Sequence, residues 1–397
     1  MKQLFKHIQG DKVIWAIVAL LALFSFLPVY SASSNLAYLY GDGSTFKFLI
    51  KHFAHLLLGF AILYGVHKIP YHYFRGLSII ALPVVVILLI LTMAQGTTIE
   101  GANASRWIRI PLVGIGFQPS ILASVVLLSY VARYLSRTKD KAITFKETLL
   151  PLWLPVFVVL GLILPANFST AAIIFAMIFA LMFVGGYPIR YLGIIFLAGL
   201  VSLSLFIGFA KITNIQSLNV KVKTWENRIA NFTDNEDTEA DYQIERAKIA
   251  IASGGIRGLG PGKSIQKNFL PQSSSDFIYA IIVEEFGLIG AMTLLFLYLL
   301  LLFRLIIVAH KTVSMFGKLL VIGVGLPIVF QALINMAVAV ELFPVTGQTL
   351  PLISSGGTSI WMTCLAIGMV LSVSAKREVV EKELAEESPL DILSQAM

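Results

Sequence analysis

Apolar and polar positions along this chain separate into long blocks. Apolar stretches long enough to cross about 30 Å of hydrocarbon as helices fall near residues 13–30, 47–66, 76–95, 117–134, 148–165, 170–186, 189–210, 278–308, 318–340 and 358–375. The pattern predicts an all-α polytopic membrane protein of ten transmembrane helices, with a long polar segment, 211–277, between the seventh and eighth. A break at Pro165-Ala166-Asn167 is all that separates the fifth span from the sixth, and the eighth is long enough to tilt or project. Loops beyond about 15 residues are usually functional or disordered. The stretch from Trp225 to Gly290 has internal order: an amphipathic start, an acidic patch, a glycine-rich basic turn, then an aspartate opening an apolar helix. It reads as an active-site loop.

Composition agrees with the pattern. Of 397 residues, 57% are hydrophobic and 13% charged, where a soluble domain carries about 25% charged residues. The run from Val13 to Leu27 lacks a small-residue cleavage site and reads as a first span, not a signal peptide. The single cysteine, Cys364, excludes an internal disulfide and reads as a small buried hydrophobe.

Lysine and arginine in the short connections set the orientation. Lys2, Lys6, Lys12, Lys68, Arg75, Arg133, Arg137, Lys139, Lys141, Lys146, Arg190, Arg304, Lys311, Lys318, Lys376 and Arg377 all fall on one side, so both termini are expected in the cytoplasm. One transmembrane domain over 1–375 then carries 211–277 on its outer face, followed by a polar cytoplasmic tail, 376–397. Three more Gly-, Pro- and Ser-rich segments, 101–120, 165–170 and 341–359, join the long loop on that face. Four irregular segments converging on one face place the site there.

Charge within the long loop is segregated. Glu226, Asp234, Glu236, Asp237, Glu239 and Asp241 stand against Arg228; Arg246, Lys248, Arg257, Lys263 and Lys267 stand against Glu245; Arg106 and Arg109 add to the basic side from the second outer segment. Bases outside run against the usual bias and point to an anionic partner, with anionic lipid headgroups as the blander alternative. Glycines 254, 255, 258, 260 and 262 can bring backbone N–H groups to phosphate oxygens or simply make a flexible turn. Val222, Trp225, Ile229 and Phe232 recur at helical spacing and suit an interfacial anchor with Trp225 at headgroup depth.

Asp276 follows three serines and precedes FIYAIIVEEFG. It reads as a helix cap or first-turn acid favoured by the macrodipole, a position compatible with a general base if burial or a negatively charged substrate raises its pKa. Glu284 and Glu285, two turns further in, read as structural or supporting acids, because ionisable groups at that depth face a cavity or a partner. His52 and His55 could share a metal, yet no carboxylate or cysteine accompanies them in sequence, so an interfacial role is favoured. No cofactor is identified, and a divalent cation is left open. Sequons begin at Asn103, Asn167 and Asn231.

LPQSSSDFIYAIIVEEFGLIG, AIASGGIRGLGPGKSIQ, NASRWIRI followed by FQPS, and PVTGQTLPLISSGGTS resemble the SEDS family of FtsW, RodA and SpoVE, in order over roughly residues 12–375. The TGQTLPLIS and SSSDFIYAII runs look more like the division branch, FtsW, than the elongation branch, RodA. The resemblance implies an inverting peptidoglycan glycosyltransferase that polymerises lipid II at the outer face of the bacterial cytoplasmic membrane, releasing undecaprenyl diphosphate, in septal wall synthesis. It puts the catalytic acid at Asp276 and substrate-binding positions at Arg106, Trp107, Tyr242, Gln243, Gly254, Gly255, Gly258, Gly260, Gly262, Lys263, Lys267, Pro271, Pro351, Ser354, Gly356 and Gly357. The implied partners are a class B penicillin-binding protein (an FtsI-like transpeptidase) and other divisome proteins, with no nucleic acid. Two departures stand out: Ile121 and Ser124 replace an acid and a base, and Asn167 and Ser169 replace Asp and Gly. The elongation polymerase of the same family, a lipid II flippase using Glu284, Glu285 and Arg304, and a scaffold that activates its partner remain as alternatives.

Overall fold

The computed structural model describes residues 9–40, 45–95, 106–109, 116–139, 141, 144–213 and 239–386. The expected apolar blocks form helices because no other arrangement satisfies backbone groups within one segment in hydrocarbon. These are α1 (Lys12–Tyr40), α2 (Thr45–Lys68), α3 (His72–Gln95), α4 (Pro119–Thr138), α5 (Phe145–Ile163), α6 (Phe168–Val184), α7 (Ile189–Thr213), α9 (Ile278–Lys311), α10 (Met315–Ala339) and α11 (Gly357–Glu386). Within the polar segment lies one more helix, α8 (Glu239–Gly254). Eight of the helices are long and apolar enough to cross a membrane; the sixth and seventh expected spans are shorter apolar helices, Phe168–Val184 and Ile189–Leu205. The chain is an all-helical integral membrane protein. Its one described strand pairing is a minimal antiparallel hairpin, β1 (Ile108–Arg109) with β2 (Gly116–Phe117), in which Ile108 faces Phe117.

α11 is the central pillar: its Gly357–Ala375 span is 94% buried, against 22% for the spans of α2 and α3. Cys364 is fully buried in it, against Gly59 of α2. At the end of the bundle away from the loops, Asp11 uses one oxygen to accept from the Val13 and Ile14 N–H groups, capping α1, and pairs the other with Arg304 of α9. A second, smaller core of Ala32, Ala247, Ala250, Leu270, Phe277, Ala280, Ile281 and Val338 ties α8 to the opposite ends of α1, α9 and α10. It is this small core that seats the long loop on the bundle.

The eighth expected span is not one continuous helix. Gly287 sits at φ 66° and ψ −167°, outside helical space, and splits α9 into a short piece before it and a long piece after it. The long piece alone reaches about 36 Å at 1.5 Å per residue, enough to cross. The cytoplasmic tail expected from 376 begins inside α11, which continues to Glu386; residues 387–397 and the segment 214–238, with Trp225 and most of the acidic patch, lie outside the described residues.

Candidate active site

Asp276 does not cap a helix. The cap position of α9 is Phe277, with no side-chain cap bond, and Asp276 stands one residue earlier in a turn. That turn is held from outside. The carbonyls of three consecutive residues are taken by distant donors: Ser274 by the Ser355 N–H at 2.9 Å, Ser275 by the Ser354 hydroxyl at 2.5 Å, and Asp276 by the Asn335 amide at 2.7 Å. Ser354 also accepts from the Leu350 N–H at 2.7 Å, and Tyr298 donates to the Pro351 carbonyl at 2.6 Å. Two non-glycine residues in these segments, Gln272 and Leu352, adopt positive φ, a conformation kept only where surroundings over-determine it. The half-buried Asp276 carboxylate shares its space with Arg106: a β-carbon on Gly347 would stand 3.5 Å from Asp276 Oδ2 and 3.9 Å from an Arg106 guanidinium nitrogen. Arg106 is aimed by its Nε, which donates to the Ala166 carbonyl at 2.9 Å. Described parts of all four irregular segments thus meet around one carboxylate.

The glycine-rich turn has a different job from the one its composition suggests. The break at Gly287 leaves backbone groups of α9 without helical partners, and residues 255–260 supply them. Leu259 and Gly260 donate to the carbonyls of Glu284 and Glu285 at 2.9 and 3.0 Å, while Leu288 and Ile289 donate to those of Gly255 and Ile256 at 2.9 and 3.3 Å. The two backbones approach so closely that a β-carbon on Gly254 would lie 2.1 Å from the Val283 carbonyl oxygen. The N–H groups of Gly258 and Gly260 are therefore spent on protein carbonyls, Gly254 at 2.8 Å and Glu285 at 3.0 Å, and are not held out for phosphate.

Glu284 and Glu285 anchor the same turn from below and are fully buried. Glu284 accepts from the Ser264 hydroxyl, from the Ile265 N–H at 2.9 Å and from the Gln266 N–H at 3.3 Å. Glu285 accepts from the Ser264 N–H at 3.3 Å and from the Ser31 hydroxyl of α1. Lys267 Nζ donates to Ser31 at 3.1 Å and to the Gly262 carbonyl at 2.8 Å, so its charge faces this latch. Lys263 is exposed. Tyr242 and Gln243 lie on α8, where the Tyr242 and Phe269 rings flank the Arg246 guanidinium at 4.8 and 5.7 Å. Pro271 is exposed at the start of the Asp276 turn.

His52 and His55 point apart: His52 bonds Ser25 of α1 at 2.8 Å, and His55 packs on Gly357 and Trp361 of α11. Gly356 lies beside it, against Thr349 and Ser359. Asn167 is a buried cap of α6, accepting from the Thr170 N–H at 3.2 Å, which removes it as a glycan acceptor; Asn103 and Asn231 lie outside the described residues. Arg304, paired with Asp11 at the far end, shares no partner with Glu284 or Glu285.

Sequence reasoning missed Asn335, Gln331 and Gln348. Gln331 donates to the Thr349 carbonyl at 2.8 Å and Gln348 to Thr170 at 2.9 Å. The signal was present: two amides one turn apart inside the otherwise apolar α10 are costly in lipid unless they have partners.

A family model described as cell cycle protein, covering FtsW, RodA and SpoVE, matches residues 11–379. The chain belongs to the FtsW/RodA/SpoVE family. A Geobacter sulfurreducens protein named as a probable peptidoglycan glycosyltransferase FtsW is 33% identical over 372 residues, spanning 92% of this chain and 95% of that one. Among solved structures, the chain is similar to the rod shape determining protein RodA of Thermus thermophilus, with a TM-score of 0.65 and 27% identity over 93% of this chain and 97% of that one. It is also similar to a chain from a peptidoglycan synthase complex described as coordinating polymerisation and crosslinking, with a TM-score of 0.69 and 26% identity over 93% and 98% of the two chains. Two of the four departing residues are absorbed locally: Ile121 packs on the apolar core, and Asn167 makes a cap that an aspartate would also make.

Proposed function

We propose that this protein is a peptidoglycan glycosyltransferase that polymerises lipid II into glycan strands, with Asp276 as general base. The observation that carries the reading is the Asp276 turn: three successive carbonyls fixed by two other segments, and a carboxylate beside Arg106. Pre-organisation of this kind suits proton abstraction, which needs a base held within hydrogen-bond reach of the attacking group. The GlcNAc 4-hydroxyl of one lipid-linked unit attacks the MurNAc anomeric carbon of another chain. Its proton passes to Asp276, the new C–O bond forms with inversion, and the bond to undecaprenyl diphosphate breaks with its electron pair on the leaving group. Arg106, beside the carboxylate, and exposed Lys263 are the cations assigned to that charge in this reading; Lys267 is engaged in the latch, so its role is to hold the loop.

The outer face of the cytoplasmic membrane, cytoplasmic termini and a septal location follow from the charge pattern and the FtsW likeness. A class B penicillin-binding protein is the partner that would crosslink the product. Catalysis is favoured over lipid passage because Glu284, Glu285 and Arg304 are each engaged by protein groups instead of lining a common path. The test is polymerisation of fluorescent lipid II by the purified protein with its transpeptidase partner. Glycan chains from wild type and none from Asp276→Asn are expected; chains from both would remove the base assignment. Lipid movement across vesicles without chains would replace the polymerase by a flippase.

A further inference from the structure

Asn335 lies in the apolar helix α10 with 2% of its surface exposed. Its Nδ2 makes two bonds of 2.7 Å, one to the carbonyl of Asp276 and one to the carbonyl of Gln348. Both partners can only accept, so the amide must present both of its hydrogens to them and its orientation is fixed by chemistry. Oδ1 is buried with no partner among the described residues. A buried amide that leaves its oxygen unpaired is costly in lipid, and what it obtains in return is a single side chain bonded to two segments far apart in sequence. Those segments carry the two sides of the site: the turn that bears Asp276, and the irregular segment 345–350 whose Gly347 lies against both the Asp276 carboxylate and Arg106. One turn earlier on the same helix, Gln331 holds the next carbonyl along that segment, that of Thr349.

We infer that Asn335 is a positioning residue, an amide clamp that fixes the Asp276 turn against the 345–350 segment, whose Gly347 lies beside both the carboxylate and Arg106; this rests on the reading of Asp276 as the base. Removing both donors frees the Asp276 carbonyl from α10 and lets the turn and the 345–350 segment move independently. A misplacement of about 1 Å costs about 100-fold in a positioned reaction. The clamp touches no substrate, so the loss falls on kcat.

The experiment uses the full chain with its transpeptidase partner and fluorescent lipid II, comparing wild type with Asn335→Ala and the near-isosteric Asn335→Asp, which turns an oxygen toward both carbonyls. Expected for both variants is a fall in kcat of at least about 10-fold, with KM within about threefold of wild type. In parallel, hydrogen exchange should speed up at least about tenfold in both 272–277 and 345–351 and leave 259–267 unchanged. Unchanged exchange in either segment overturns the clamp whatever the activity, as does an unchanged kcat in both variants. Inactive wild type with coupled exchange changes would instead keep the clamp and remove the polymerase reading.

Discussion

Gly258 stands so close to Glu285 that a β-carbon on it would lie 2.2 Å from the Glu285 carbonyl oxygen and 2.6 Å from the Gly287 nitrogen. Both contacts are backbone, so neither can rotate away, and Gly258 also sits at φ 79°. Gly258→Ala is therefore expected to destabilise the protein by about 3 kcal/mol or more, through overpacking and backbone strain together. Thermal unfolding in nanodiscs, with hydrogen exchange across 255–267, measures it; a wild-type melting curve would mean that the close packing of turn and helix is wrong.

Gly347 makes a different prediction, because space is available there and strain is not the whole effect. At φ 67°, an added β-carbon would touch Asp276 Oδ2 and Arg106 at ordinary contact distances. Gly347→Ala should fold, cost about 1–2 kcal/mol of backbone strain, and lower lipid II polymerisation about 10- to 100-fold by shifting the 345–350 segment against the carboxylate. Rate and melting temperature should thus separate, with a large loss in the first and a modest one in the second.

Buried Glu284 has at least three donors aimed at it. Glu284→Ala strands the Ser264 hydroxyl and the N–H groups of Ile265 and Gln266, and should cost about 3 kcal/mol. Glu284→Gln retains one accepting oxygen and should cost about 1 kcal/mol. Chemical or thermal unfolding of the two variants side by side distinguishes a hydrogen-bond anchor, where Gln is mild, from a charge requirement, where both are equally severe.

Lys248 of α8 pairs with Glu341 at 2.6 Å, but the two side chains are 53% and 44% exposed. Screening leaves such a pair under about 0.5 kcal/mol. Lys248→Gln should change neither melting temperature nor polymerisation measurably; a loss of activity at unchanged stability would instead show that Lys248 meets substrate.

The positions of the spans were legible because hydrocarbon imposes one strong rule on every residue of a block. Convergence of the irregular segments was legible because the longer breaks between spans, rich in Gly, Pro and Ser, alternate with short basic connections and so fall on one face. What was not legible depended on contacts between distant backbones. EEFGLIG reads as uninterrupted helix, and nothing local marks Gly287 as a break; its cause is the turn 255–260, which bonds both sides of it. The glycines of that turn looked like phosphate binders because close approach to a ligand and close approach to another helix need the same missing side chain. Asp276 looked like a cap because a cap and a residue one position outside the cap differ by a single peptide unit. Asn335 was passed over inside an apolar run, although a lone amide at that depth is informative in itself.

The broken helix also bears on how the protein is made. During synthesis, residues 254–260 leave the ribosome before 284–289, so the patch is complete before the gap it covers exists. Until the two meet, four backbone groups at the break have no partner within α9, and the short piece carrying Ile278–Phe286 has little reason to stay helical on its own. Assembly of the carboxylate-bearing turn is thereby tied to correct docking of the preceding loop, and a nascent chain with a defective loop would present the quality-control machinery with an unfinished helix instead of a finished but inactive enzyme.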